Sequence, residues 1–245
     1  MTKSYWKKKD RSSDTYFSKQ LKHPKNSTIE FFKFLKKNKF LNSRILDLAC
    51  GSGGNLIYLF KKHLHTKECL GIDFNKNLIK KAVFNSKKIK NLNFTSGNIL
   101  KINKKLKNKY DGIISLQVLS VLSDYNLAIN QMTKLNPKFI AVSSLFWEGL
   151  TDYNIKVNNL VNSSHKRKVD NFTFYNIYSL KNYINLMKKK GYKKNIFMKF
   201  DIKKRLPEPK DKTKMLTYTI KYKKKNLQLS GPILMNWYFI ISSKK

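Results

Sequence analysis

Hydrophobic positions change their period along this chain. Ile29, Phe32 and Leu35 share one helical face behind Ser27-Thr28-Ile29-Glu30, which reads as a capping box, so a helix is predicted to about Lys37. From there short apolar runs alternate with amphipathic stretches. Strands are predicted at Arg44–Leu48, Cys69–Ile72, Asn93–Thr95, Gly112–Leu116 and Lys138–Leu145. Between them helices are predicted over about Asn55–His63, Asn77–Asn85, Ile102–Leu106 (short and Lys-rich) and Asp124–Lys134. Strands and helices alternating at this spacing make βαβ units, and right-handed crossovers then produce an open parallel sheet with helices on both faces.

The rhythm breaks at Phe146. A polar stretch to Asn171 reads as a loop or small insertion, Phe172–Tyr178 as a strand, and Ser179–Lys190 as a helix stopped by Gly191. The end is β-rich, with strands predicted at Ile196–Ile202, Met215–Tyr222, Leu227–Ser230 and Ile233–Ser242. Ahead of it all, residues 1–26 are polar with scattered aromatics (Tyr5, Trp6, Tyr16, Phe17) and read as a tail or lid; one domain is expected over 27–245, with an insertion at about 146–178.

Composition changes this picture little, except in charge. Hydrophobic residues make up 41%, which excludes a disordered chain. The 52 basic and 14 acidic residues give a net charge of +38. The basic residues are 48 Lys against 4 Arg, and Asn and Ile are also abundant, as AT-rich codons favour. A protein built to read bases or grip phosphates would favour the planar fork of Arg. The charge is therefore read mainly as background, with weak, salt-sensitive polyanion binding expected and a nucleic-acid role kept as the alternative. Cys50 and Cys69 make no disulfide framework, no cluster has metal-ligand spacing, and no metal is expected. No leader is visible, and the uncharged run Asn226–Ser243 is broken by Gly231-Pro232, so a cytoplasmic protein without a membrane span is expected.

The chemistry lies in Asp47-Leu48-Ala49-Cys50-Gly51-Ser52-Gly53-Gly54: a strand ending in an acid, a glycine turn, then a helix start. A P-loop would need Lys and Ser or Thr after its second glycine, and they are missing. A dinucleotide fingerprint would need glycine where Leu56 stands. The Asp47 carboxylate, with no cation in the loop, repels a pyrophosphate but suits a ligand bearing an amine and a sulfonium.

On these residues the chain resembles the class I S-adenosylmethionine-dependent methyltransferases over roughly residues 27–145, and more loosely to the C-terminus. Asp47, Gly51 and Gly53 match the family's first motif, with Ala49 where another glycine is common. The resemblance implies a Rossmann-like α/β fold, a mostly parallel seven-stranded sheet with antiparallel C-terminal strands, and S-adenosylmethionine as cofactor. It implies that Asp73 bonds the ribose, that Phe74 lies on the adenine, that Asn98 with Ile99 beside it borders the adenine edge, and that Leu116 and Gln117 line the methionine end. The segments Leu206–Pro209, Leu216–Thr219 and Leu229–Tyr238 look like uncharacterised bacterial methyltransferases found with surface-polysaccharide enzymes. A small polar acceptor is therefore expected, a sugar or polysaccharide precursor foremost. An RNA acceptor and a catalytically silent cofactor- or nucleic-acid-binding protein are the alternatives. The family's usual bases are absent, leaving the catalytic residue unassigned; Glu148, Asp152 and His165 are the candidates, with Trp147 as a platform for the acceptor. Oligomeric state is not indicated.

Overall fold

The computed structural model describes residues 11–62, 66–163, 166–210 and 216–244. Tyr5, Trp6, His63, His165 and Met215 lie outside the described residues. Five parallel strands form the centre: β1 (Arg44–Leu48), β2 (Glu68–Asp73), β3 (Leu92–Ser96), β4 (Gly112–Leu116) and β5 (Phe139–Trp147). A hairpin follows, β6 (Lys156–Ser163) with β7 (Lys166–Phe174), and then the two-residue β8 (Tyr178–Ser179). β9 (Lys194–Lys199) returns to the sheet; β10 (Thr217–Tyr222), β11 (Lys225–Ser230) and β12 (Ile233–Leu234) leave it; β13 (Trp237–Ser243) closes the chain. The main sheet runs β3-β2-β1-β4-β5-β13-β9, with β13 antiparallel to both neighbours. These are the seven strands expected, and β8 adds an eighth by pairing with the end of β5.

Among the described residues six α-helices accompany the strands: α1 (Arg11–Lys22), α2 (Asn26–Lys37), α3 (Gly54–Lys62), α4 (Lys76–Ser86), α5 (Tyr125–Lys134) and α6 (Leu180–Lys189). Successive strand residues point to opposite faces, so β1 feeds two cores. Ile45 packs with Phe31, Phe32, Leu35, Leu56 and Leu59 of α2 and α3. Leu46 and Leu48 pack with Ala128, Ile129, Met132, Tyr183 and Met187 of α5 and α6. Burial on both faces explains why β1, β4 and β5 read as mostly apolar runs rather than alternating ones.

Four expectations are corrected. α2 begins at Asn26, capped at Lys25 with no side-chain hydrogen bond, so the capping box is not formed. Ser27 then sits inside the first turn, and Glu30 pairs with Lys33 instead. The helix expected near Ile102–Leu106 is a single 3-10 turn at Lys104–Leu106. The polar stretch after β5, read as a loop or small insertion, carries a hairpin whose second strand begins at Lys166 rather than Phe172. β10–β12 form a separate three-stranded sheet; Pro207 and Pro209, which cannot donate to a ladder, precede it.

The order matters for function. β1 lies between β2 and β4, so the strand order reverses between β1 and β4, and in such sheets the ligand crevice lies outside the carboxyl ends of those two strands. Two excursions leave that same edge, the β6–β7 hairpin after β5 and the β10–β12 sheet after β9, whereas the residues just before β1 lie at the opposite edge.

Candidate functional site

Beyond Leu48 the chain turns through left-handed backbone at Ala49 (φ 63°), Gly51 (φ 58°) and Gly53 (φ 79°). Two amides of the turn, Ala49 N–H and Cys50 N–H, donate to the Ile72 carbonyl at 2.7 and 3.1 Å, tying it to β2. Side chains would not fit at the glycines: a Cβ on Gly51 would sit 2.6 Å from the Phe17 ring, and one on Gly53 2.5 Å from Phe94. Asp73, at the end of β2, accepts Gly51 N–H on Oδ2 at 2.9 Å and Asn75 N–H on Oδ1 at 2.8 Å. Its carboxylate thus clamps the glycine turn to the start of α4, and each oxygen keeps a second lone pair facing outward bonds. Burial pushes the Asp73 carboxyl up, and these two amides oppose it.

Asp47 is different. It is 1% exposed, and neither carboxylate oxygen has a hydrogen-bond partner among the described residues. Burial, with the Asp73 charge second, holds it well above the usual carboxylate range. A buried carboxylate without a partner is costly, and such an exception calls for a functional reason. Cys50 beside it is buried and its thiol is pushed up, chiefly by burial, which leaves it a packed filler rather than a nucleophile.

The strand order β3-β2-β1-β4 brings the remaining cofactor candidates to the same edge. Phe74 follows Asp73 and is 46% exposed. Asn98 is exposed; its Oδ1 accepts Leu100 N–H at 2.8 Å, so its side-chain amide is the group left to donate. Ile99 points the other way, into the core under α5. Leu116 is half-buried at the end of β4. Gln117 adopts a left-handed φ of 60°, its N–H donating to the Ser143 carbonyl at 2.7 Å. The Gln117 side chain is held from the N-terminal segment: Lys25 Nζ donates to Oε1 at 2.8 Å, and Nε2 donates to Ser27 Oγ at 3.1 Å. Phe17 of α1 lies against Gly51. Phe17, Lys25 and Ser27 thus join the candidate site; the sequence had offered Phe17 only as part of a tail or lid, Ser27 only as a helix cap, and Lys25 not at all.

Beyond the crevice, β5 runs on for four residues past Ser143, its partner level with Leu116, or about 13 Å at ~3.3 Å per residue. There Glu148 is exposed, and its Oε1 accepts the Tyr238 hydroxyl at 3.0 Å. Tyr238 is buried, and burial followed by the Glu148 bond pushes its hydroxyl up to about 12. Asp152 serves the framework: its Oδ1 accepts Ser179 N–H at 2.6 Å, anchoring the loop at the start of α6. Trp147 packs edge-on against Tyr153 and donates its indole N–H to the Thr151 carbonyl, so the donor expected for an acceptor is engaged inside the loop. Asn176, fully buried, ties the insertion to the turn after β4: its backbone N–H donates to the Ser120 carbonyl and its Nδ2 to the Leu122 carbonyl. Among the described residues no group of three His, Cys, Asp or Glu could hold a metal, and no helix is long and apolar enough to cross a membrane.

A family model described as "Methyltransferase domain" matches residues 39–199. No curated protein sequence matches the chain. Among solved structures, the N-terminal domain of EvdMO1 with S-adenosylhomocysteine (SAH) bound aligns with a TM-score of 0.58 at 10% identity, over 90% of this chain and 82% of that one. Magnesium protoporphyrin IX methyltransferase (ChlM) from Synechocystis PCC 6803, with bound S-adenosylmethionine, aligns at 0.51 and 11% identity, over 89% and 78%. The CMeT domain of the citrinin polyketide synthase aligns at 0.50 and 11%, over 82% of this chain and 46% of that one. At such identities the likeness is one of fold. The family match carries the assignment further, and it agrees with the strand order and the glycine turn: the chain belongs to the class I, Rossmann-like S-adenosylmethionine-dependent methyltransferases.

Proposed function

We propose that the chain methylates a small polar acceptor, such as a sugar, held between the crevice and the β6–β7 and β10–β12 excursions. The cofactor, when bound, supplies an electrophilic methyl group on a sulfonium. The residues present fit it. Asp47, buried and unpartnered, answers a positive charge; the left-handed turn through Gly51 and Gly53 leaves its backbone open to close approach. Asp73 has lone pairs left for ribose hydroxyls, Phe74 and Asn98 border the adenine while Ile99 turns into the core, and Leu116 and Gln117 close the methionine end. The orphaned Asp47 carboxylate is the single observation that carries this reading.

Methyl transfer from sulfur is an in-line displacement, so most of the acceleration comes from alignment. A hydroxyl acceptor also needs a base. Glu148 is the candidate in view: the buried Tyr238 hydroxyl fixes one oxygen and leaves the other free to take a proton. A structure of the EvdMO1 domain determined in the presence of SAH and D-fucose supports a sugar-like acceptor by analogy of fold. Against an RNA acceptor stands the spread of lysines. Nine of the 48 occupy the last turns of five different helices, α1, α2, α3, α5 and α6, where each meets the negative end of a helix.

The test is SAH release measured across nucleotide sugars, free sugars and tRNA. Glu148→Gln should lower turnover on the true acceptor while S-adenosylmethionine affinity stays within about twofold. Turnover on tRNA alone, or a fully active Glu148→Gln variant, would remove the respective part of the proposal.

A further inference from the structure

The small β10–β12 sheet is built inside out. Tyr218 pairs with Leu229 and Ile220 with Leu227 in the hairpin, and Leu229 pairs in turn with Leu234 of β12. Paired residues share a face and successive ones alternate. Tyr218, Ile220, Tyr222, Leu227, Leu229 and Leu234 therefore form one face, with Thr219, Asn226 and Ser230 on the other. The polar face is the one fastened to the chain. Thr219 is buried and its Oγ1 accepts Leu206 N–H at 2.9 Å, while Asn226 Nδ2 donates to the Lys203 carbonyl at 2.9 Å. Ile233, opposite Ser230 on that side, packs with the cluster of Leu145, Met235 and Trp237. The apolar face looks outward: Ile220 is 44% exposed, Tyr222 58% and Leu234 40%. None of its six side chains belongs to a hydrophobic core formed by the described residues. An antiparallel sheet that served only the fold would turn its apolar face to the core. A contiguous outward one marks an interaction surface.

Charge around the patch selects the partner. Lys203-Lys204-Arg205 runs beside the sheet, and Lys223-Lys224-Lys225 forms the hairpin tip, all exposed. Lys223 Nζ lies 5.8 Å over the Tyr222 ring. Asp201, 3.7 Å from Lys225, and Glu208 are the acids among the described residues of 194–244. A second copy would set one cationic rim against another, which opposes association. An anionic bilayer satisfies each feature at once. Ile and Leu side chains enter the acyl boundary, the Tyr222 hydroxyl stays at headgroup level, and the lysines keep their charges among lipid phosphates.

We propose that the outer face of β10–β12 is a docking surface for an anionic lipid bilayer, with Ile220, Tyr222 and Leu234 as its apolar anchors and the hairpin-tip lysines as its headgroup contacts. This surface is separate from the cofactor crevice, and the proposal stands whatever the methyl acceptor is.

Co-sedimentation of the full chain with vesicles tests it, using phosphatidylcholine alone and phosphatidylcholine containing about one quarter phosphatidylglycerol. Physiological ionic strength screens much of the diffuse attraction to a +38 protein. Binding is expected to the mixed vesicles. Ile220→Ser and Leu234→Ser leave the net charge unchanged, and each should weaken partitioning about fivefold. Leu127→Ser, at a position 53% exposed on α5, is the control and should stay within about twofold. Lys223→Gln combined with Lys224→Gln should weaken binding more than Lys188→Gln combined with Lys189→Gln at the end of α6. Tyr222→Trp should shift its emission to the blue on vesicles, and Leu127→Trp should not. Circular dichroism confirms that each variant is folded. Parental partitioning by Ile220→Ser and Leu234→Ser, or losses no greater than that of Leu127→Ser, would reduce the binding to diffuse charge and overturn the proposal. A concentration-dependent dimer that the same two variants abolish would assign the face to a second copy. Polyglutamate binding that they abolish, without vesicle binding, would assign it to an acidic protein. Either result overturns the lipid assignment.

Discussion

Replacing Asp47 by Asn is expected to stabilise the cofactor-free protein while weakening S-adenosylmethionine binding. The carboxylate is 1% exposed, unpartnered among the described residues, and raised well above its ordinary pKa by burial and then by Asp73. In the unfolded chain it titrates near ~3.9. Between that value and the raised folded value, the folded protein holds a proton that the unfolded chain has lost. Stability therefore falls with rising pH across this window, by about 1.4 kcal/mol per pH unit. Asn does not titrate, so the advantage of the variant is absent below about pH 4 and grows above it. At neutral pH and beyond it should reach at least the cost of one buried unsatisfied polar group, about 1–3 kcal/mol. On the binding side, losing a charge-assisted contact costs about 1.5–3 kcal/mol, roughly 10- to 100-fold in Kd. Urea denaturation at pH 5 and pH 8 reads the first effect, provided the denaturant slope is unchanged. Calorimetry in two buffers of different ionisation enthalpy reads the second, because the parent should release a proton on binding and the variant should not. A variant less stable than the parent at pH 8, or one with parental cofactor affinity, would refute the reasoning.

Asp73→Asn leaves one of the Gly51 and Asn75 amides without an acceptor, so a loss of about 1.5–3 kcal/mol in stability and weaker cofactor binding are expected; a parental Tm and Kd would contradict the clamp. Gly51→Ala forces Cβ into left-handed backbone and to 2.6 Å from Phe17, which should cost ~1 kcal/mol for the backbone alone and displace α1. Faster proteolysis within residues 11–22 is the readout, and unchanged protection counts against the contact. Asp111 accepts from Arg44 and Lys138 at the opposite edge of the sheet; burial would raise it, but these bonds together hold it well below the usual range. A depressed folded pKa adds stability above the unfolded value near ~3.9 that is lost as pH falls. With Arg44 partly and Lys138 largely exposed, Asp111→Asn should cost about 1 kcal/mol at pH 7 and progressively less below pH 4, and a pH-independent difference would exclude this account.

The sequence by itself determined the framework of the crevice. The runs at Arg44–Leu48, Gly112–Leu116 and Phe139–Leu145 are apolar on both faces because both faces are covered, and such strands announce themselves. Asp47, the glycine turn and Asp73 were legible for a related reason. They sit at strand ends, where local sequence fixes the backbone and the strand order then brings them together. Local signals failed where a local bond lost to a distant one. Ser27 with Glu30 spelled a capping box, yet the Ser27 hydroxyl accepts from Gln117 and that of its neighbour Thr28 donates to Asn55, because the start of α2 lies beside the end of β4 and the start of α3.

Tertiary structure alone decided how the site is closed and how the loop after β5 is used. Lys25 reaches Gln117 across 92 positions, and Tyr238 reaches Glu148 across 90. Such pairs depend on how the two hydrophobic cores set α2 and β13 against the sheet, which no window of sequence records. Asp152 and Trp147 looked like free chemistry and proved engaged, one by the Ser179 amide and the other by the Thr151 carbonyl. The physical reason is the same in each case. Residue type states what a side chain can bond, and only the packing of elements around it decides which partner arrives first and which groups, such as the Asp47 carboxylate, are left waiting for a ligand.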